Sequence, residues 1–223
     1  MMMTNNLSEN RAGGLAALFC ALSYVSGFGL FFGFLDRSGY EGLSGNLAFA
    51  LDNQLVIALA MIALYLAFGI ALTVLVVALH RRSGSDDFIM QIATSFGLVW
   101  VGLVLASGMT GLIGLQTVAA IAIQDYMTAA TIWSAVGIVQ SALGGGIELV
   151  GGLWMLMICV VALRDKLLPA WLNWPGIIIA VTGIITMVPG LGDFAMLFGI
   201  GQIFWLTALG IIMIRRPKMV LTI

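Results

Sequence analysis

The sequence predicts an all-α integral membrane protein, a bundle of six membrane-spanning helices with both chain ends on the cytoplasmic side. Three observations predict it. First, of 223 residues 61% are hydrophobic and only 9% charged, with a mean hydropathy of +1.12. A soluble domain carries about 25% charged residues, so lipid must be the solvent for most of this surface. Second, six apolar stretches, at about 14–34, 54–79, 88–113, 141–163, 171–190 and 194–214, reach the roughly 20 residues that span a bilayer at about 1.5 Å rise each. Third, Arg11, Arg81, Arg82, Arg164, Lys166, Arg215, Arg216 and Lys218 all fall at one set of helix ends, and only Arg37 falls at the other. That asymmetry follows the positive-inside rule.

In chain order, the first span ends before Asp36. Its apolar region is too long for a cleavable signal peptide, and no small-residue cleavage pattern follows it. The second ends at His80-Arg81-Arg82, a cluster suited to lipid headgroups. The third begins at Phe88. Residues 114–140 are only mildly apolar and include Gln124, Asp125, Tyr126 and Trp133. They are expected to form a loop and a short interfacial helix at the membrane surface, or a re-entrant piece, before the fourth span. Trp171 and Trp174 precede Pro175 at the start of the fifth span, an expected aromatic anchor with proline in the first helical turn. Pro189-Gly190-Leu191-Gly192-Asp193 reads as a tight outer turn that leads into the sixth. Loops this short make the whole chain, 1–223, one membrane domain.

The same composition excludes several functions. A net charge of −1 leaves no basic footprint for nucleic acid. Cys20 and Cys159 both sit in apolar stretches and do not suggest a disulfide framework. One histidine cannot supply paired haem ligands, and no cluster has metal-site spacing, so no cofactor or metal is expected. The methionines are scattered and read as packing residues. A nucleophilic triad is unsupported, because His80 and Glu148 belong to opposite membrane faces.

Glu148 is the one ionisable residue placed inside a span. A charged side chain there costs several kcal/mol, of the order of 3, unless it is paired, hydrated or protonated. Gln140, Gly144, Glu148, Gly151, Gly152, Met155 and Cys159 follow helical spacing, so this small and polar face should meet other helices. The run Gly144-Gly145-Gly146 favours a bend beside it. At similar depth on other helices lie Ser107, Thr110, Thr186 and Gln202. Together with Gln140 and Glu148 they form a candidate polar pocket open to the outside, with Trp154 and Trp205 near its floor.

Four pieces of the chain also carry a resemblance. They are Phe96-Gly97-Leu98-Val99-Trp100 with Ala106-Ser107-Gly108-Met109; Leu143-Gly144-Gly145-Gly146-Ile147-Glu148-Leu149-Val150-Gly151-Gly152-Leu153-Trp154; Leu168-Pro169-Ala170-Trp171-Leu172-Asn173-Trp174, running on to Met187-Val188-Pro189; and Phe198-Gly199-Ile200-Gly201-Gln202-Ile203-Phe204-Trp205. Their order resembles the bacterial DUF4386-like family of uncharacterised multi-pass membrane proteins, over nearly the whole chain. The resemblance implies a helical membrane fold in a bacterial inner membrane and no mechanism.

Three functional readings follow. The leading one is a non-catalytic bundle in the lipid bilayer that binds or passes a small hydrophobic or amphipathic, lipid-like molecule, or that serves another membrane subunit as an embedded partner. The second is a membrane enzyme using Glu148 as acid or base on a lipid-like substrate. The third is a proton- or cation-coupled transporter with Glu148 as the coupling site. Against all three stands the plain alternative that a neutral Glu148 is helix–helix glue.

Overall fold

Long unbroken apolar runs rich in Leu, Ile, Ala and Met satisfy their backbone in lipid within the segment, as helices. The computed structural model, which describes residues 2–84, 87–145 and 148–215, is accordingly helical, with no strand among those residues. The elements are α1 (Met2–Phe28) running into a wide turn π1 (Gly29–Phe34), α2 (Gly42–Asp52), α3 (Gln54–Met61) continuing through π2 (Ile62–Ala67) into α4 (Phe68–Ser83), α5 (Phe88–Ala122), α6 (Tyr126–Gln140) with π3 (Ser141–Gly145), α7 (Leu149–Arg164), α8 (Ala170–Ile185) and α9 (Phe194–Arg215). Gly146, Ile147, Arg216 and Lys218, used in the sequence reading, lie outside the described residues.

Five helical stretches are long and apolar enough to cross a bilayer: Ser8–Phe34, Gln54–Ser83, Phe88–Ala122, Tyr126–Arg164 and Phe194–Arg215. The sixth apolar helix, Ala170–Ile185, is shorter. Its expected continuation to 190 is instead a series of turns, with Gly190 at φ +88°. The longer helices and α8 pack in the order in which they occur along the chain. α1 packs on α4, α4 on α5, α5 on α7, α7 on α8, α8 on α9, and α9 back on α1, which closes a ring.

Aromatic side chains fill the ring. Trp154 stands 5.5 Å from Trp100 and 6.0 Å from Trp205, and Trp100 also meets Phe68 and Phe198. Glycine makes the room. A Cβ on Gly97 would lie 2.7 Å from the Trp154 ring, and one on Gly151 would lie 2.8 Å from the Trp100 ring.

The segment 114–140 departs from expectation. Residues 114–122 continue α5, and α6 returns antiparallel along it after a three-residue turn. Gly111 of α5 faces Gln140, Gly114 faces Val136, and Val118 packs with Ala129 and Ala130. Small residues on both helices let the backbones approach. Asp125 caps α6 by accepting from the Thr128 amide. The apolar sides of α5 and α6 bury each other here. The α5 helix is therefore about 52 Å long, and α2 packs on α6 at its far end.

Pro175 also departs from expectation. The α8 helix begins at Ala170 behind Pro169, so Pro175 sits in its second turn and not its first. Trp171 and Trp174 are exposed, as an anchor requires.

The two ends of the ring differ in polar chemistry. At the end holding most basic residues, Arg81 pairs with Glu9, Arg82 donates to Asn10 at 2.8 Å, and Arg164 bridges Asp87 and Asp165 at 3.1 and 2.7 Å. His80 shares a 2.8 Å hydrogen bond with Thr94. These side chains tie α1, α4, α5 and α7 together and do not simply reach for headgroups. At the other end Arg37 donates to Asn46 and lies 4.7 Å from the centre of the Phe49 ring.

Candidate functional site

The fourth long stretch is broken at the glycine run. Gly144 adopts φ +125°, ψ 30°, a conformation that side-chain-bearing residues rarely take, and α7 begins at Leu149. Glu148 occupies the position just before α7, about 24 Å along the helix axis from Arg164. Its backbone is firmly held. The Glu148 amide donates to Thr186 Oγ1 at 2.8 Å, and its carbonyl accepts from the Gly152 amide at 2.9 Å. Thr186 Oγ1 in turn donates to the Gly183 carbonyl at 2.7 Å. Gly183 lets α8 come this close, since a Cβ there would stand 3.1 Å from the Glu148 carbonyl oxygen.

The Glu148 side chain, by contrast, makes no hydrogen bond or ion pair among the described residues, and it does not cap its own helix. It lines a cavity of ≈ 330 Å³ between α1, π2 with α4, α5 and the start of α9. Tyr24 and Tyr65 line the same space. The remaining wall is largely aromatic, including Phe28, Phe68 and Trp100. Phe32 and Met196, 73% and 50% exposed, stand at its rim.

Two π turns contribute side chains to this wall, Phe31 and Phe32 from π1 and Leu64 and Tyr65 from π2, and the kink at Gly144 contributes backbone. Such turns are rare, and they concentrate at functional sites because the surplus residue re-aims side chains.

Of the eight residues predicted to form the pocket, Glu148 lines the cavity. Thr186 is brought to it, but through the Glu148 backbone. Gln140 donates across to the Ser107 carbonyl at 3.2 Å and contacts Met61 Sδ. Ser107 is fully buried and Thr110 half-buried, both on α5. Gln202 is buried, with its Nε2 3.4 Å from Met155 Sδ. Trp154 and Trp205 are buried in the aromatic core. These five side chains and Gln140 are not among the cavity's walls.

Tyr24 and Tyr65 do not stand out in the sequence as site residues, and Trp100 does so only as part of a motif. Tyr24 and Tyr65 sit mid-span with no ionised group beside them in the chain, and π2 sets the direction of Tyr65. The signal available was that the chain holds only four tyrosines and two of them fall within spans. The chain matches no known protein family, no curated protein and no solved structure.

Proposed function

We propose that the chain is a membrane protein that binds or passes a small amphipathic molecule, held in the cavity at Glu148. The observation that carries this reading is the Glu148 carboxyl. It faces an aromatic cavity with no protein partner among the described residues, while its backbone is fixed at both ends. A carboxyl placed only to join helices would be expected to hydrogen-bond across a helix interface, as Gln140 does to Ser107.

In this reading six helices cross the bilayer, α8 among them, with both chain ends cytoplasmic. The one-sided arginines and lysines support that orientation. The place of α8 between α7 and α9 supports the sixth crossing. The bacterial inner membrane and membership of the DUF4386-like family rest on the motifs quoted above. The broken helix favours transport as a second reading, because ion- and substrate-coupling sites of transporters are commonly built at discontinuous helices.

The test compares Glu148→Gln with Glu148→Leu in protein extracted gently enough to keep bound molecules, read by native mass spectrometry and thermal melting. The expected result is a small amphipath on the wild type that is lost from Glu148→Gln without loss of fold. If Glu148→Gln keeps both fold and ligand while Glu148→Leu unfolds, Glu148 is only structural. For orientation, a cysteine at Ser38 should react with an impermeant thiol reagent outside intact cells, and one at Lys166 should react only after lysis. The reverse pattern would refute the topology.

A further inference from the structure

We infer that the molecule held in this cavity is a lipophilic organic cation, a tertiary or quaternary ammonium carried on an apolar body. This rests on the reading that the cavity is a ligand site. Three features of the wall select the charge and the body.

The first is sign. Glu148 is the only carboxyl in the wall, and no lysine, arginine or histidine of the described residues lines the cavity. An anionic ligand would meet a like charge with nothing to offset it. A neutral apolar ligand would leave the carboxyl without a partner against a largely apolar wall. A cation removes both penalties.

The second is the surface around the carboxyl. Ring faces attract cations, and the rings here form a connected set. Tyr24 meets Phe68 edge to face at 5.6 Å, and Phe68 meets Trp100 at 6.1 Å. Tyr65 and Phe28 complete the enclosure. A bare inorganic cation would need a shell of about six to eight oxygen ligands, and the side-chain oxygens of this wall are those of Ser23, which is turned to the Phe19 carbonyl, Tyr24, Tyr65 and Glu148. A bulky ammonium is already clothed in methyl or methylene groups and needs only one counter-charge and apolar contact.

The third is access. The exposed rim residues, Phe32 in π1 and Met196 in the first turn of α9, are both apolar. A ligand entering past them meets hydrocarbon before it meets the carboxyl, which favours an apolar body.

The test uses two probes of matched shape that differ in charge, radiolabelled benzyltrimethylammonium and its neutral carbon analogue neopentylbenzene. Equilibrium binding is measured on the purified full chain in uncharged detergent. The wild type should bind the cation at least tenfold more tightly than the neutral probe, and Glu148→Gln should abolish that preference while melting like the wild type. Trp100→Leu, with the carboxyl intact, should weaken the cation more than the neutral probe. This second variant gives an answer even if Glu148→Gln fails to fold. Equal or tighter binding of the neutral probe would overturn the inference and leave the cavity reading in place. Binding of neither probe would overturn both.

Discussion

A single methyl group added at Gly152 tests the packing that holds the site. Its Cβ would lie 2.7 Å from the Ala180 carbonyl oxygen and 2.9 Å from the Ile184 amide nitrogen, both backbone atoms of α8. Neither can swing aside as a side chain can. Ordinary contact begins at 3.4 Å, so α7 and α8 must part locally by about 0.7 Å. A radial gap of that size forfeits roughly a quarter to a half of each nearby dispersion contact. Overpacking of this kind costs about 1–3 kcal/mol. Alanine returns somewhat under about 1 kcal/mol through its better helix propensity. Gly152→Ala should therefore destabilise the protein by about 0.5–2 kcal/mol.

Gly102 is the matched control. It also lies inside a helix, but a Cβ there meets nothing within 4 Å, so Gly102→Ala should be neutral or gain up to about 1 kcal/mol. Both are measured by unfolding in mixed micelles with increasing dodecyl sulfate, followed by circular dichroism. If Gly152→Ala is as stable as Gly102→Ala, α7 and α8 do not approach at this distance, and the seat of Glu148 is wrongly drawn.

Two other perturbations follow from the geometry. Thr186→Val keeps the shape of the side chain but leaves the Glu148 amide without its acceptor. It should cost about 1–3 kcal/mol and speed amide hydrogen exchange at Glu148, while Thr186→Ser should not; unchanged exchange in the valine variant would remove Thr186 from the account. Asp87 caps α5 and accepts from Arg164, and the guanidinium chiefly holds its carboxyl below the usual carboxylate range. A carboxyl lowered in the folded state stabilises fully above its unfolded value, near about 4, and loses that contribution as pH falls through the folded value. Melting temperature should fall on acidification through this range in the wild type and fall less in Asp87→Asn; parallel curves would show that the pair is idle.

The helices were legible because lipid imposes one requirement, an unbroken apolar run, and Gln54–Ser83 and Phe194–Arg215 show it plainly. The α5–α6 hairpin was not, since Gly111, Gly114, Ala129 and Ala130 give close approach without strong hydropathy. At the site, Glu148 stood out by cost alone. Its companions did not, because matching polar residues by depth assumes that they seek one another. Ser23, Thr73 and Thr182 instead donate to carbonyls of their own helices, at 3.0, 2.9 and 2.6 Å. Gln140 finds the Ser107 carbonyl. What converges on Glu148 is a set of rings, of which Phe31, Phe32 and Tyr65 stand in local departures from regular helix that hydropathy does not register.

Those departures place part of the site's information in chain length. A π turn is one residue more than the regular helix needs, and each residue advances a helix by about 100°. Everything before π2 is thus set out of step with α4 by one residue, and removing that residue would swing α3 to a new bearing while leaving Tyr65, Phe68 and Glu148 in the sequence. Two chains could share every residue of the cavity wall and differ in whether the cavity exists. A relative should therefore be judged first by the spacing between its wall residues within each helix, and only then by their identity.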